Sequence, residues 1–367
     1  MYEEAHAVIS GAALTENFKR LKAMAHGARV IAVVKANAYG HGLAPVTRTL
    51  LSAGADFFAV ARLSEAIALR GLAPNADILI LGTTPVQYAN LLSEHHLVQS
   101  IHDVSYAKAL SAHATQPIRA HLKLDVGMGR FGISLSKPDA FENALRALSE
   151  PMLQFEAVFS HLPSADSEEA LSDRQGLSFR RFTEGLAACG YPLSRHLLAS
   201  AGILRYGGGN DGFIRPGLIL YGYSPNKSLV AEGFSPVMRL YAPVLAVREL
   251  AKGDRLGYGG VFTAPRRMRV AILGIGYGDG LPRALGGACV RLGGALCPIV
   301  GRICMDVLFC ALNDRLSPKI GELALVFGDR ADSLYRLAEH AGTLPYELLT
   351  SLSARLCREL SPRKDHP

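Results

Sequence analysis

The chain has 367 residues, 49% of them hydrophobic and 19% charged, so it can bury a sizeable core and is not a disordered polymer. Its formal charge of +7 is a modest excess, and the densest basic cluster, Arg266, Arg267 and Arg269, lacks interleaved aromatics, so nucleic acid is not an expected partner. No apolar run approaches the roughly 20 residues of a membrane span, the start Met1-Tyr2-Glu3-Glu4 lacks the basic and apolar regions of a signal peptide, and six cysteines without a C-x-x-C pair suit a cytoplasmic protein with reduced thiols.

In chain order, the first apolar run, 29–34, reads as a buried strand, and Lys35 closes it. A lysine is costly to bury, so one that ends a hydrophobic strand, four residues before Tyr39, suggests an amine of depressed pKa suited to forming an imine with a carbonyl. Its ordinary alternative is a rim lysine with the ammonium in solvent. Further apolar runs follow at 56–60, 77–81, 97–101, 118–124, 152–159, 196–199 and 216–220. Between them lie helical patterns, including 63–70, with Ser64 as N-cap and Gly71 just past the end, and 136–148, with Pro138 and Asp139 in the first turn. Eight strands alternating with helices predict an α/β barrel of the (β/α)8, TIM type, whose chemistry lies at the C-terminal strand ends.

After about residue 232 the rhythm changes. Apolar runs at 237–247, 268–274, 298–303, 307–312 and 322–327 follow one another with turns between them, and two helical patterns, 332–341 and 346–356, close the chain before a polar tail expected to fray. The expected organisation is a barrel over 1–232 and a mainly-β domain over 233–367, with about the first 10 residues able to pair with the second domain.

Two G-x-G-x-x-G strings, Gly127–Gly132 and Gly207–Gly212, invite a dinucleotide reading. The first does not open directly into a helix and the second precedes an extended segment, so both read as glycine-rich loops. The 12 histidines include no H-E-x-x-H and no ordered Cys/His spacing, so no metal site is expected. No G-x-S-x-G element marks a serine hydrolase.

The segment V-V-K-A-N-A-Y-G-H-G at 33–42 closely resembles the cofactor-lysine motif of the alanine racemases, and the resemblance runs over essentially the whole chain. It continues in L-K-L-D-V-G-M-G-R-F-G, S-H-L-P-S-A-D, A-S-A-G, R-P-G-L, R-L-G-Y-G-G-V-F-T-A, I-G-Y-G-D-G and G-R-I-C-M-D. It implies a pyridoxal 5'-phosphate enzyme that interconverts L- and D-alanine, supplies D-alanine as a peptidoglycan precursor, and works as a homodimer whose subunits share active sites. It makes Lys35 and Tyr258 acid/bases on opposite faces of the substrate, with Lys35 also carrying the cofactor. Arg130 would grip the substrate carboxylate, with Met305 beside the substrate, and Arg215 would meet the pyridine nitrogen. His161 would hydrogen-bond Tyr258 and Arg215, while Tyr39, Ser200 and the backbone near Gly217 and Leu218 would hold the phosphate. Tyr277 and Asp306 have supporting places, as does Lys123, which matches a lysine carbamylated in several members.

These residue types suit the reaction. The charge left by an α-proton needs a sink, which the cofactor ring supplies. A guanidinium on the ring nitrogen donates a hydrogen bond without giving up its proton, which limits side reactions. A tyrosine starts near pKa 10 and needs help as a base. Two positions depart from the family pattern: Ala199, where many members have asparagine, and Ala354, where many have a tyrosine near the phosphate. Looser cofactor binding and a wider entrance are expected from the second. Alternatives are a broader-specificity racemase or decarboxylase of the same fold, or a non-catalytic cofactor-binding protein; the last class resembles the barrel alone.

Overall fold

The computed structural model describes residues 4–361 apart from Asn210, Ser228 and Val230. The readings of the first three residues and of the tail beyond 361 lie outside them. Eight parallel strands follow in ring order: Arg29–Val33, Phe57–Val60, Asp77–Ile80, Val98–Ile101, Ile118–Asp125, Leu153–Phe159, Ser194–His196 and Phe213–Ile214. The last pairs with the first through Phe213 and Arg29. A single parallel bridge between Ala199 and Arg215 joins the segments that follow the last two strands. Because helices cover one face and the packed interior the other, these strands carry near-continuous apolar runs, and Ile31, Phe58, Ile78, Leu122 and Val158 are all buried.

The run at 216–220 is not the eighth strand. Pro216 has no N–H for a ladder, and the chain turns there into a short 3-10 segment, Leu218–Tyr221, so the strand is the shorter Phe213–Ile214 just before it. The seventh strand lies at Ser194–His196, earlier than expected. The helix expected from residue 136 begins at Ala140, so Pro138 and Asp139 precede it. Gly71 lies inside a helix, Leu63–Leu72, rather than after it.

The second half builds an antiparallel system around one long strand, Met238–Leu250, which pairs with Met268–Leu273 and Leu323–Phe327. The N-terminal strand His6–Ser10 joins it, pairing antiparallel with Met238–Leu250 and parallel with Cys357–Ser361. A hairpin, Cys289–Leu292 with Ala295–Pro298, replaces the strand expected at 298–303. Its turn is Gly293-Gly294, both at positive φ, and that dipeptide was the available signal. The helix expected over 346–356 is Pro345–Ser351, after which the chain becomes strand Cys357–Ser361. Among the described residues no helix is long and apolar enough to cross a membrane.

Candidate active site

Lys35 follows the first barrel strand, and the four residues after it turn left-handed, with φ of 52°, 54°, 55° and 52° from Ala36 to Tyr39. L-residues pay about 1–2 kcal/mol each for that conformation, so other contacts must hold it. The Glu65 carboxylate accepts hydrogen bonds from the backbone N–H of Ala36 at 2.7 Å and of Ala61 at 2.8 Å. The Asn37 side-chain oxygen accepts from Leu43 N–H at 2.8 Å, and Arg358 Nε donates to Gly40 O at 2.6 Å. Gly40 itself is required: a Cβ there would lie 1.9 Å from Leu349 O. The turn brings Tyr39 back into the barrel mouth, packed on the rings of Tyr221 and Tyr346 at 5.1 and 6.2 Å.

Lys35 and Tyr39 line a cavity of about 390 Å³ together with Lys123, Arg130, His161, Ser200, Arg215 and Gly217. Strands and loops far apart in sequence thus converge at the C-terminal end of the barrel. Burial, with the Arg130 charge adding to it and Glu65 opposing, holds the Lys35 amine below the ordinary lysine range. Lys123 is pushed down to about 7, by burial first and then by Arg215 and Arg130, against Asp125. Its ammonium end also lies 4.9 Å from the Phe159 ring. Arg130 stands exposed on the Gly127–Gly132 loop, which is shaped by Asp125: its carboxylate accepts from the N–H groups of Gly127, Met128 and Gly129.

Arg215 is buried, and burial lowers its pKa to about 10, so it remains charged. Its Nη1 donates to His196 Nδ1 at 2.7 Å and to His196 O at 2.8 Å; its Nη2 donates to Ser160 O at 2.6 Å and Leu197 O at 3.1 Å. Four of the five N–H protons of a guanidinium are thereby used, leaving the Nε–H. The partner of Arg215 is therefore His196, not His161 as the sequence led us to expect. His196 sits on the neighbouring strand, directly against the guanidinium, whereas His161 lies after the strand Leu153–Phe159 and reaches the cavity wall. His161 is held down at about 3 by burial and by the charges of Arg215, Lys123, Arg130 and Lys35.

Ser200 Oγ accepts from the N–H of Gly217 at 3.1 Å and of Ile219 at 3.3 Å, which leaves the serine proton to be donated elsewhere. The Gly217 N–H is thus spent on Ser200. Any side chain at Gly217 would put its Cβ 2.5 Å from Tyr39 Oη, so glycine keeps a cradle open between Tyr39, Ser200 and the following turn. The cavity offers a nucleophilic amine, neutral hydroxyl donors and two guanidinium groups, a set suited to an anionic ligand with a reactive carbonyl.

Tyr258, Met305 and Asp306 do not reach this cavity. They line an open depression on the β-domain with Gly257, Gly259, Cys304 and Val307, where Tyr258 is 67% and Met305 52% exposed. Tyr277 is also exposed, its N–H bonded to Cys304 O beside Met305. Arg355 bridges this group, pairing with Asp306 at 3.0 Å and Asp279 at 3.5 Å. Ala354 is exposed and outside the cavity wall, whereas Tyr346, eight positions earlier, is in it. Sequence reading missed Glu65, Asn37, His196, Tyr346 and Arg358. For Asn37 a signal existed within the lysine motif itself; the others depend on contacts across the fold.

Residues 9–225 match the family model described as alanine racemase, N-terminal domain, and residues 237–360 match that of the C-terminal domain. The chain is 38% identical over 361 residues to an alanine racemase of Pectobacterium atrosepticum, covering 97% of this chain and 98% of that one. Among solved structures it is similar to the biosynthetic alanine racemase of Pseudomonas aeruginosa, with a TM-score of 0.86, 34% identity, and 98% and 99% of the two chains covered. The alanine racemase of Bacillus anthracis, solved with bound L-Ala-P, gives a TM-score of 0.89 at 30% identity, covering 97% of this chain and 94% of that one.

Proposed function

The chain belongs to the alanine racemase family and is an isomerase that interconverts L- and D-alanine, and from that premise we propose that it does so with pyridoxal phosphate held on Lys35. The observation that carries this reading is the meeting of the Lys35 amine, the Arg215 guanidinium and the Tyr39–Ser200–Gly217 cradle in one cavity. The residues fit the group. The cradle that a Cβ at Gly217 would fill matches a phosphate arm, Tyr39 and Ser200 offer hydroxyl protons, and Arg215 Nε–H is left over for a ring nitrogen.

When bound, the cofactor supplies an electron sink for the charge left on the substrate α-carbon. Arg215 would hold the ring nitrogen through its remaining Nε–H, a donor that keeps its proton. Arg130 forms a fork on the substrate carboxylate, which fixes the α-carbon between its two acid/bases. Lys35 takes or returns the α-proton on one face and Tyr258 on the other. His161, neutral in its buried setting, serves Tyr258 as a hydrogen-bond partner. Met305 and Tyr277 crowd the α-substituent and favour alanine.

In this structure Tyr258 and Lys35 stand in different cavities of one chain, and the exposure of Tyr258 and Met305 supports a two-fold dimer in which they complete the partner subunit's site. The protein acts in the cytoplasm, supplying D-alanine for peptidoglycan.

Two measurements on the purified protein test the reading. Borohydride reduction after loading with pyridoxal phosphate should fix the cofactor to the peptide containing Lys35; an adduct on another lysine removes the assignment. Tyr258→Phe should abolish racemisation while D-alanine still exchanges its α-hydrogen with deuterated solvent. Equal exchange on both enantiomers would contradict the two-face arrangement.

A further inference from the structure

Beneath Arg215 lie two buried histidines that the reaction described above does not use. His196 Nδ1 meets Arg215 Nη1 at 2.7 Å, and His196 Nε2 meets His121 Nδ1 at 3.0 Å. Both rings are fully buried. His121 Nε2 is buried without a hydrogen-bond partner among the described residues. It sits in an aromatic box, with the rings of Phe57 and Phe213 both 6.0 Å away and that of Phe159 at 6.5 Å.

The donors dictate where each proton lies. A guanidinium has no acceptor, so the 2.7 Å contact is a hydrogen bond only while His196 Nδ1 carries no proton. Its Nε2 then carries the proton of the neutral ring and donates to His121 Nδ1. His121 Nδ1 is thereby an acceptor, and its proton sits on Nε2, facing the rings. Burial and the charge of Arg215 both keep these imidazoles neutral.

We infer that His121 is a positioning residue for this reaction: acting through His196, it fixes one tautomer of that ring and so commits both Nη1 protons of Arg215 away from the cavity, leaving Nε–H to face the ligand. The opposite His196 tautomer would set an N–H against the Nη1 protons of Arg215 and push the fork out of place. The cost is one orphaned N–H deep in the barrel, which weak contact with the aromatic faces offsets in part. The functional sense of the device rests on the cofactor assignment above; the tautomers do not, so the two can fail separately.

The test begins with the cofactor-free, full-length protein. Nitrogen-15 NMR of its histidine rings should show His196 and His121 both protonated on Nε2 alone. A proton on Nδ1 of either ring overturns the inference. His121→Asn keeps an acceptor near the Nδ1 position, while His121→Leu keeps bulk and removes the acceptor. The asparagine variant should retain the single His196 tautomer, and the leucine variant should show a mixture. On loading, the leucine variant should bind pyridoxal phosphate about tenfold more weakly than wild type, with asparagine restoring most of that loss. Equal behaviour of the two variants, in tautomer and in affinity, would assign His121 to packing alone. Should the leucine variant fail to fold, His121→Met, which also keeps bulk and lacks a strong acceptor, takes its place in the comparison with asparagine.

Discussion

The carboxylate of Glu65 accepts a 2.7 Å hydrogen bond from the backbone N–H of Ala36, the residue that follows Lys35. The same carboxylate also accepts from Ala61 and Arg62, so one side chain ties the end of the first barrel strand to the loop after the second. This clamp steadies a run of four left-handed residues whose conformation is unfavourable on its own. Hydrogen bonds to a charged group are worth about 1.5–3 kcal/mol. Glu65→Ala is therefore expected to destabilise the protein by about 2–3 kcal/mol, read as a lower midpoint in urea, and to slow capture of pyridoxal phosphate by Lys35. Glu65→Gln, which still accepts, should lose less. A Glu65→Ala protein with unchanged midpoint and capture rate would show that the turn stands without the clamp.

Lys123 gives a prediction in pH. Its folded pKa of about 7 lies below the ordinary value of 10.5, so between those values the unfolded chain binds a proton that the folded one does not. Folding stability from this group therefore rises with pH across that window, and the penalty is fullest below about pH 7. In buffer freed of carbon dioxide, Lys123→Met should raise the melting temperature most at or below pH 7, with the gain shrinking toward pH 10. The same free amine is primed to react with carbon dioxide. With carbon-13 bicarbonate supplied, a carbamate signal should appear in wild type and be absent from Lys123→Met. Its negative charge would then orient Arg130, and the variant should show a raised KM for alanine. No carbamate signal in wild type removes that role.

The separation of Tyr258 from Lys35 within one chain predicts complementation. Lys35→Ala and Tyr258→Ala proteins should each be inactive. Heterodimers of the two, isolated with two different affinity tags, should carry one intact site and recover up to about half the wild-type activity per dimer. Isolated heterodimers without activity would place both residues in the same subunit's site.

Tyr346 lines the cavity beside Tyr39, while Ala354 stands outside it. If the Tyr346 hydroxyl reaches the phosphate end directly or through water, Tyr346→Phe should weaken cofactor binding by about tenfold or less, since 1.4 kcal/mol is tenfold. Ala354→Tyr should strengthen it within the same limit and narrow tolerance for amino acids larger than alanine. Dialysis against a carbonyl trap, with relative rates on alanine and serine, measures both. No change in either variant would mean that Tyr39 and Ser200 hold the phosphate by themselves.

Features that a short window of the chain can encode were legible before folding is considered. Lys35 at the end of an apolar strand, Arg130 in a glycine-rich loop, and the change from a helix–strand rhythm to β-runs near residue 232 are all local patterns. Local pattern also placed six of the eight barrel strands to within about one or two residues, and failed at 216–220, where a proline and a glycine stop an apolar run from extending. The partners of these residues come from contacts made across the closed fold. His196 rather than His161 under Arg215, Glu65 under Ala36, Arg358 on Gly40 and Tyr346 beside Tyr39 each join residues 19 to 318 positions apart, or elements at opposite ends of the chain. A hydrogen bond is satisfied by whichever group the closed barrel brings within about 3 Å, and strand register and ring closure set that distance. No spacing in the chain specifies it.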